Sequence, residues 1–464
     1  MKILLVSPPL YRSFSPSFPP LGIGYIASVL EKHGFDIKVI DMFNFNWKKV
    51  RNTLKKEDPD ILGVSCLTDG RVNAFKLIQI SKQINPNVKT IIGGPHPHFM
   101  YKQILENYPI DVIVFGEGEL TCLELLNTLE NEGDLKNVRG IAFKSNKKIF
   151  LTGQRPPIQN LDLIPFPTYH YFNFSAYKPI EDAKRKEFRH MRRAAVITSR
   201  GCPYNCQFCS TSVFWNHCWR CRSAENVADE LELLYNDFKV RYIDFADDNF
   251  AINKQRVIDV CKEIISRKLD ITWITEMRVD NVDREMLRWM KRSGCHQVQY
   301  GIESGSQLIL DTINKRITLN QILKAFKITK EAGIETYALL MVGNPNESER
   351  TINETVDLIR MIKPDFINVS LTTVFPGTQL YEIAKSKGLL NDNYWLSEKL
   401  APVYTCELPI EKLEQLRFKI ISEFWKSKGF YFYFKKIFRR GVLRPSRALQ
   451  FISAYLKGRF RSVI

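Results

Sequence analysis

Residues 194–209 read AAVITSRGCPYNCQFC and place Cys202, Cys206 and Cys209 within eight residues. The apolar start of this stretch is typical of a buried strand, and Gly201 separates it from the cysteines. A short loop with this spacing can direct three thiolates toward one point, which suits a catalytic zinc or an iron–sulfur cubane with one open iron. Zinc is the weaker alternative, because common zinc sites combine two-residue gaps with a distant second pair of ligands.

The region that this loop opens, residues 194–400, alternates apolar strands with helices. The further strands are VRYIDFADD from position 240, ITWITEMRV from 271, QVQYGIES from 297, TYALLMVG from 336 and FINVSLTTVFPG from 366. Six strand–helix units predict a partial parallel barrel whose active-site loops follow the carboxyl ends of the strands. Glu276 and Arg278 end the third strand, so we expect them at the rim of the pocket, with an ordinary salt bridge as the alternative.

Residues 1–150 also alternate strand and helix signals, which predicts a second parallel sheet covered on both faces. Ligands bind such sheets at the carboxyl ends of the strands, where glycines let the backbone approach a large ligand. No GxGxxG motif follows the first strand, so a dinucleotide site has no support. The candidate ligand-binding residues at these ends are Ser7, Pro8, Pro9, Thr68, Gly93, Gly94, His96, Gly116 and Glu117.

Composition narrows the class of protein. The 464-residue chain is 44% hydrophobic and 25% charged, which is ordinary for a globular enzyme and too apolar for a disordered chain. Ten cysteines are too few for a disulfide scaffold, and the group of three indicates metal binding or catalysis. We find no transmembrane-length apolar run and no secretory signal, so we expect a cytoplasmic protein. Prolines and a basic stretch in residues 151–193 predict a linker.

The cysteine motif, with Phe208 before its last cysteine, resembles that of the radical S-adenosylmethionine (SAM) superfamily. Four later segments resemble the superfamily's motifs in register: Ala246–Phe250, Tyr300–Gly305, Met341–Glu347 and Phe375–Thr378. The resemblance implies that Cys202, Cys206 and Cys209 bind three irons of a [4Fe–4S] cluster, whose open iron binds SAM. Reductive cleavage of SAM then produces a 5′-deoxyadenosyl radical, which the barrel shields. The residues expected around the cofactor are Phe208, Asp247, Asp248, Glu276, Arg278, Glu303, Ser304 and Asn344.

A Rossmann-like domain before such a barrel resembles the cobalamin-binding class of this superfamily. The matching segments are Pro19–Ala27, Gly93–His96 and Gly116–Glu119, which by resemblance meet the corrin and its nucleotide tail. The alternative is a Rossmann-like domain that has lost its cofactor. The D-x-H-x-x-G motif, whose His ligates cobalt elsewhere, is absent after the first strand, so no axial His is expected from it. His96 and His98 are interpreted as polar loop residues touching the cofactor periphery or linker.

The resemblance therefore implies an α/β enzyme with a cobalamin-binding Rossmann-like domain (1–150), a linker (151–193), a partial (β/α)6 radical SAM barrel (194–400) and a helical tail (401–464). Methylation of an unactivated carbon is the favoured function. One alternative is a radical oxidative cyclase or rearrangement enzyme on a tetrapyrrole or lipid, like the anaerobic magnesium-protoporphyrin ester cyclase. Another is a non-catalytic iron–sulfur or cobalamin sensor. The expected partners are a small-molecule substrate and an electron donor such as flavodoxin or ferredoxin.

The C-terminal segment carries most of the net positive charge. Residues 414–464 contain thirteen Lys or Arg against two Glu, within a net charge of +17, and aromatic residues interleave with the cations. A basic aromatic helix of this kind can lie at an anionic membrane surface, which would make the protein peripheral to the membrane. The same aromatics can equally pack on the barrel. Nucleic acid is the weaker third partner, because this sequence shows neither the three N-terminal cluster cysteines nor the small terminal β-barrel of tRNA methylthiotransferases.

Overall fold

Two largely parallel sheets organise the chain. The structure is a computed structural model and describes residues 1–10, 16–177, 188 and 191–428. The α/β fold predicted from the sequence, with a Rossmann-like sheet followed by a partial barrel, is confirmed.

Seven strands form the N-terminal sheet. They are β1 (Ile3–Ser7), β2 (Ile37–Asp41), β3 (Ile61–Ser65), β4 (Lys89–Gly93), β5 (Val112–Val114), β6 (Ile141–Ser145) and β7 (Lys148–Leu151). Their order is β2-β1-β3-β4-β5-β6-β7, and β1 to β5 are parallel. The helices are α1 (Leu21–Lys32), α2 (Trp47–Glu57), α3 (Arg71–Ile84), α4 (Pro95–Asn107) and α5 (Gly118–Glu130). Both faces of β1 are buried, with Leu4 and Val6 in one core and Ile3 and Leu5 in another, as expected of a parallel sheet.

The hairpin of β6 and β7 is an addition that the strand pattern did not predict. These strands pair antiparallel with each other and with β5. Asn146 and Lys147 both have positive φ, at 48° and 63°, which is the backbone of a tight two-residue hairpin turn. Phe143 and Phe150 stack across the pair at 5.4 Å between ring centroids. The hairpin therefore closes the sheet's far edge.

The second sheet has six parallel strands, the partial barrel. The C-terminal strands are β8 (Arg192–Val196), β9 (Ser199–Arg200), β10 (Arg220–Cys221), β11 (Val240–Phe245), β12 (Thr272–Met277), β13 (Cys295–Glu303), β14 (Glu335–Val342) and β15 (Phe366–Leu371). The barrel order is β15-β14-β13-β12-β11-β8, while β9 and β10 form a small antiparallel pair. The helices are α6 (Ser210–Phe214), α7 (Ala224–Asn236), α8 (Lys254–Ser266), α9 (Arg284–Arg292), α10 (Gln307–Thr312), α11 (Leu319–Glu331), α12 (Glu349–Ile362), α13 (Gln379–Ser386) and α14 (Ile410–Ser427).

The described part of the predicted linker packs against both domains. Short 3-10 turns cover 161–163, 169–171 and 174–176. The Tyr169 hydroxyl donates to Glu230 of α7 at 2.6 Å, and the Tyr177 hydroxyl donates to Asp41 of β2 at 2.9 Å. Buried aromatic side chains thus fasten the segment to the barrel at one point and to the N-terminal sheet at another.

The chain after β15 returns to the N-terminal domain before reaching α14. Val374, Leu380, Trp395 and Tyr404 share a core with Leu4 and its neighbours. The α14 side chains Leu413, Leu416, Ile420 and Phe424 pack instead into the barrel core. For Phe424, therefore, the packing interpretation of the tail is correct. The rest of the aromatic and basic tail, residues 429–464, lies outside the described residues.

Five cysteines are scattered along the chain, away from the cysteine motif. Cys66, Cys122, Cys261 and Cys295 are buried, and Cys406 is half-buried. Within the described ranges, no helix is both long enough and apolar enough to cross a bilayer.

Arg71 is the main polar anchor of the returning segment and generates a stability prediction. Its side chain is fully buried and donates to the carbonyls of Trp395 at 3.0 Å, Ser397 at 2.8 Å and Lys399 at 2.5 Å. Arg71→Ala leaves these acceptors without that donor, at a cost of about 1–3 kcal/mol. Because cleavage of a locally opened segment follows its opening equilibrium, trypsin should cut after Lys399 about tenfold faster.

Limited proteolysis followed by mass spectrometry checks this prediction. Arg51→Ala is the control, because Arg51 is exposed on α2 and, within the described part of the chain, donates to Gln83 alone. Equal cleavage rates in the Arg71 and Arg51 variants would contradict the anchoring role.

Candidate functional site: a cysteine loop between two sheet edges

The cysteine loop follows β9, shortly after the carboxyl end of β8 in the barrel. Gly201 turns the chain with φ +87°, and a Cβ at this position would lie 2.0 Å from the carbonyl oxygen of Cys218. Only glycine fits this turn, because a side chain would collide with backbone. The Gly201 N–H donates to Asp248 at 2.9 Å, which ties the turn to the end of β11.

The three thiols of the loop share a half-buried environment. Burial raises the pKa of Cys202 to about 11 and also raises the pKa of Cys206. Each thiol of this pair lies within electrostatic reach of Cys209 and of the cation Arg278. Among the described residues, no three His, Cys, Asp or Glu side chains are grouped closely enough to hold a single metal ion. A cubane places its three thiolates on three different irons, and the nearby cations suit its negative charge.

The two aspartates after β11 have different environments. Asp247 is 3% exposed and accepts hydrogen bonds from the Thr198 N–H at 2.6 Å and the Ser199 hydroxyl at 2.7 Å. Asp248 is exposed, and its surroundings raise its pKa to about 6, chiefly by desolvation. Asp247 is therefore engaged in fixing the backbone before the cysteines, while Asp248 has carboxylate surface open to a ligand.

Sequence inspection did not single out Asn249 as a site residue. It is 1% exposed, and neither atom of its amide group has a hydrogen-bond partner among the described residues. A buried amide without partners is costly unless a ligand satisfies it. Its position directly after Asp247 and Asp248 was the only sequence signal.

Burial and pairing organise the predicted SAM contacts on β13 and β14. Glu303 has φ +59° and forms a 2.7 Å ion pair with Lys315, with both side chains 9% exposed. Ser304 is fully buried, and its hydroxyl lies 3.3 Å from that of Thr355. Asn344 accepts from the Thr372 hydroxyl at 3.2 Å. These residues lie at the carboxyl ends of adjacent strands, and Lys315 is an addition that the motifs did not indicate.

The guanidinium group of Arg278 forms structural hydrogen bonds with two of its nitrogens and leaves the third available. It forms hydrogen bonds of 3.0 Å from Nε and from Nη2 to Asp280, as the salt-bridge alternative anticipated. The guanidinium carbon lies 3.6 Å from the ring centroid of Tyr204, inside the cysteine loop. Its buried Nη1 has no partner among the described residues. One donor is thus left for a ligand beside the cysteines.

Alternate strand residues line the barrel lumen. The register places Glu276 beside Gln299, Leu339 beside Asn368, and Met341 beside Ser370. Glu276 is exposed to the lumen, yet the surrounding protein raises its pKa to about 7, first by desolvation and then by repulsion from Asp244 and Glu303. The intervening residues Val298, Tyr300 and Ala338 face the helices and pack in the barrel core. Hydrogen-bonding side chains therefore face the lumen.

The carboxyl edge of the N-terminal sheet has features that suit the binding of a large ligand. Gly94 has φ +113°, with a Cβ position 2.6 Å from the Cys66 carbonyl oxygen, while Gly116 faces open space. Leu67, which follows β3, is 62% exposed. Ser7 and Gly93 are half-buried at the same edge, whereas Pro8, Pro9 and Thr68 are buried beneath it. Close backbone approach and exposed apolar surface suit a corrin ring.

Two residues that were predicted to contact the cofactor, His96 and Glu117, have other surroundings in the structure. His96 lies in α4 rather than in a loop, is fully buried, and packs 5.7 Å from Trp395 and 6.1 Å from Phe75 between ring centroids. Desolvation lowers its pKa to about 3, so the ring is neutral. Glu117 forms ion pairs with Arg200 and Arg220. Neither side chain presents the free polar surface expected of a cofactor contact, because aromatic packing surrounds one and cations occupy the other.

Comparison with known proteins identifies both halves of the chain. Residues 9–126 match the B12 binding domain, and residues 196–359 match the Radical SAM superfamily. An uncharacterized methyltransferase from Pyrococcus horikoshii is 36% identical over 443 residues, covering 94% of this chain and 93% of that protein. The chain belongs to the cobalamin-binding radical SAM family.

The chain is also similar to a cyclase and to two solved structures. The anaerobic magnesium-protoporphyrin IX monomethyl ester cyclase of Rubrivivax gelatinosus is 32% identical, covering 82% of this chain and 70% of the cyclase. The radical SAM methyltransferase TsrM from Kitasatospora setae, solved with tryptophan and a SAM analogue, has a TM-score of 0.69 at 19% identity, covering 83% of this chain and 76% of TsrM. The cobalamin-dependent enzyme OxsB has a TM-score of 0.71 at 20% identity, covering 84% and 62%. The two solved structures share the fold.

Family membership confirms that the chain is an enzyme whose cofactors are cobalamin, a [4Fe–4S] cluster and SAM. The sensor alternative has no support from these relatives. Methyl transfer is the activity that they favour.

The cysteine assignment leads to a metal-content prediction. Replacing Cys202, Cys206 and Cys209 together with Ala removes all three thiolates, so anaerobic reconstitution should yield essentially no protein-bound iron or sulfide. Cys218→Ala is the matched control, because Cys218 is exposed and lies just beyond α6. Iron and sulfide analysis of the desalted proteins gives the answer. Wild-type iron content in the triple variant would contradict the assignment.

The raised pKa of Glu276 leads to a pH prediction. An acid whose pKa is raised by folding destabilises the folded state progressively as pH rises from the unfolded pKa to the folded one. For Glu276 that window runs from 4.5 to about 7. The melting temperature of the wild type, relative to Glu276→Gln, should therefore fall between about pH 4.5 and pH 7.

Scanning fluorimetry of the apoprotein across this range measures the difference. Glu285→Gln, on the exposed surface of α9, should give a difference from wild type that lacks this pH dependence. A flat difference for Glu276→Gln would mean that the carboxyl is fully solvated.

Proposed function

We propose that this enzyme cleaves SAM reductively to a 5′-deoxyadenosyl radical and methylates an unactivated carbon of a small-molecule substrate. The supporting observation is direct contact between the two cofactor edges. His98 of α4 lies 4.9 Å from Phe214 of α6 between ring centroids. Phe208, inside the cysteine loop, packs against the core of the N-terminal domain. Groups bound at these two edges would therefore lie close to each other.

The fold indicates which residues would hold each part of the bound cofactors. When bound, the cluster supplies the electron for SAM cleavage and cobalamin supplies the methyl group. Asp248, Asn249 and the free Nη1 of Arg278 would hold the polar groups of SAM beside the cysteines. Glu303, Ser304 and Asn344 would position its remainder along β13 and β14. The barrel wall excludes water from the radical.

The lumen is the proposed substrate site. A small apolar cluster lies toward the amino-terminal end of the barrel strands and contains Phe188, Tyr242 and Ile274. Nearer the carboxyl ends, the described structure gives no hydrogen-bond partner to the side chains of Glu276, Gln299, Asn368 or Ser370. These groups favour a substrate with hydrogen-bonding substituents. A tetrapyrrole ester or a lipid with a polar head satisfies this requirement, whereas a bare hydrocarbon leaves them unpaired.

The electron donor that we propose is a flavodoxin or ferredoxin. The chain's net charge of +17 favours an acidic redox protein, because opposite charges speed encounter.

Oxidative cyclisation is the second candidate function. The 32% identity to the magnesium-protoporphyrin ester cyclase, over 82% of this chain, favours it. Such a reaction uses the same radical, but consumes no methyl group. The two candidates therefore differ in the SAM-derived products.

Product analysis tests both candidates. The full chain is reconstituted anaerobically with iron, sulfide and hydroxocobalamin, desalted, and given SAM and a strong reductant. Methyl transfer predicts retained cobalamin and both 5′-deoxyadenosine and S-adenosylhomocysteine, measured by mass spectrometry. The triple cysteine variant, as the control, should form no 5′-deoxyadenosine.

Other outcomes would revise the proposal. 5′-Deoxyadenosine without S-adenosylhomocysteine, from protein that retains cobalamin, would contradict methylation and favour cyclisation. A chain that forms neither product would contradict radical chemistry altogether.

A further inference from the structure

A buried group of four charged side chains joins the two domains next to the cysteine loop. Glu117 and Glu119 belong to the segment after β5, whereas Arg200 ends β9 and Arg220 begins β10. Their side chains are 6%, 5%, 8% and 7% exposed, respectively. We call these four residues the interdomain ion network. Two acids and two bases make it electrically neutral.

Short hydrogen bonds hold the interdomain ion network together. Arg200 Nη1 donates to Glu117 at 2.7 Å, and Arg200 Nη2 donates to Glu119 at 2.6 Å. Arg220 Nη1 donates to the second oxygen of Glu117 at 2.9 Å. That same carboxylate oxygen accepts from the Ile158 N–H at 2.8 Å. Glu117 therefore binds both arginines and the described linker at once.

Arg200 connects this network to the cysteines. It is followed by Gly201 and then by Cys202, and its backbone pairs with Arg220 in the small β9–β10 ladder. The Arg200 guanidinium carbon lies 5.2 Å from the Tyr25 ring and 6.0 Å from the Trp215 ring. Because Trp215 follows α6, the aromatic contact comes from the chain just downstream of the cysteines. Arg200 is thus held from both ends of the loop.

We infer that Glu117 and Glu119 are positioning residues for the cysteine loop, and that the N-terminal domain thereby sets the geometry in which Cys202 is presented. Asp248 fixes the Gly201 N–H from the barrel side, at 2.9 Å. The two glutamates fix the preceding side chain from the opposite side. The inference rests on the proposed role of Cys202, Cys206 and Cys209 as cluster ligands.

Removal of Glu117 and Glu119 should shift the start of the cysteine loop, because it leaves the Arg200 charge unpaired. Removing one partner of a buried ion pair leaves an uncompensated charge, which is strongly destabilising. Without the glutamates, Arg200 regains stability by turning toward water. That movement displaces the residue two positions before Cys202 and opens the contact with Trp215.

The test compares cluster properties in four full-length proteins. These are the wild type, Glu117→Gln/Glu119→Gln, Glu117→Ala/Glu119→Ala, and Glu57→Gln. Glu57 is the matched control, because it is a 7% exposed glutamate of the same domain whose ion-pair partners, Lys2 and Lys38, lie away from the interface. Each protein is reconstituted with iron and sulfide, and its folding is checked by circular dichroism.

The two readouts are independent of turnover. The first is the rate at which a ferrous chelator removes iron, and the second is the electron paramagnetic resonance spectrum of the reduced cluster. We expect iron release to accelerate by about tenfold or more in the alanine variant, corresponding to ~1.4 kcal/mol. A smaller acceleration is expected in the glutamine variant, which keeps hydrogen-bonding oxygens. Altered g-values should accompany both, while Glu57→Gln should match the wild type.

Each outcome supports or overturns the positioning role. Wild-type iron release and spectra in the folded glutamine variant would overturn it and leave the proposed function intact. The same change in Glu57→Gln would show general destabilisation and also overturn it. If the alanine variant does not fold, the glutamine variant decides the question. A wild-type chain that binds no cluster would instead overturn the proposed function and the positioning role together.

Discussion

The carboxyl edges of two parallel sheets meet at a buried, neutral group of two glutamates and two arginines, and the site depends on that junction. A parallel sheet must cover both faces with helices or other chain, so its carboxyl edge is where a ligand has access. In this protein the edge after β5 and the edge after β8 approach each other through Glu117, Glu119, Arg200 and Arg220. Their opposite charges compensate for lost hydration. The cysteine loop starts two residues beyond Arg200 and is thereby placed between the two edges.

Charged side chains of the framework have ion-pair partners, whereas Glu276 on the ligand-facing surface has none among the described residues. Buried ions of the framework have partners, as in Arg200–Glu119 and Arg222–Glu230. Such pairs make up for desolvation, because an isolated charge in the interior is unstable. Glu276 differs, since it faces the lumen with its pKa raised to about 7 and accepts no hydrogen bond from the described residues. A group of this kind is suited to contacting substrate rather than supporting the fold.

The domain boundaries that a sequence pattern suggests are not boundaries of packing. The chain between β15 and α14 packs with the N-terminal sheet, and Arg71 donates to three of its carbonyls. Phe208 of the cysteine loop also contacts that core. Cobalamin at one edge and the cluster with SAM at the other would therefore be held in one continuous structure.

Local pattern was enough to predict much of this protein. Apolar runs with helices between them indicated both parallel sheets, because burial on two faces leaves a near-continuous apolar signature. The spacing of Cys202, Cys206 and Cys209 indicated the metal chemistry, because ligands on one loop are close in sequence as well as in space. The order of the motifs indicated the family. Those features all act over a few residues to a few turns.

Tertiary structure alone decided the remaining assignments. Glu117 lies 83 residues before Arg200, so its sequence neighbours gave no sign that cations would occupy its carboxylate. His96 follows a glycine-rich strand end, yet Trp395, almost three hundred residues later, covers it. The β6–β7 hairpin depended on two residues adopting positive φ, which the strand pattern does not report. A short sequence window records hydrophobic periodicity, whereas a buried charge or an aromatic ring acquires its role from whichever distant segment the fold brings against it.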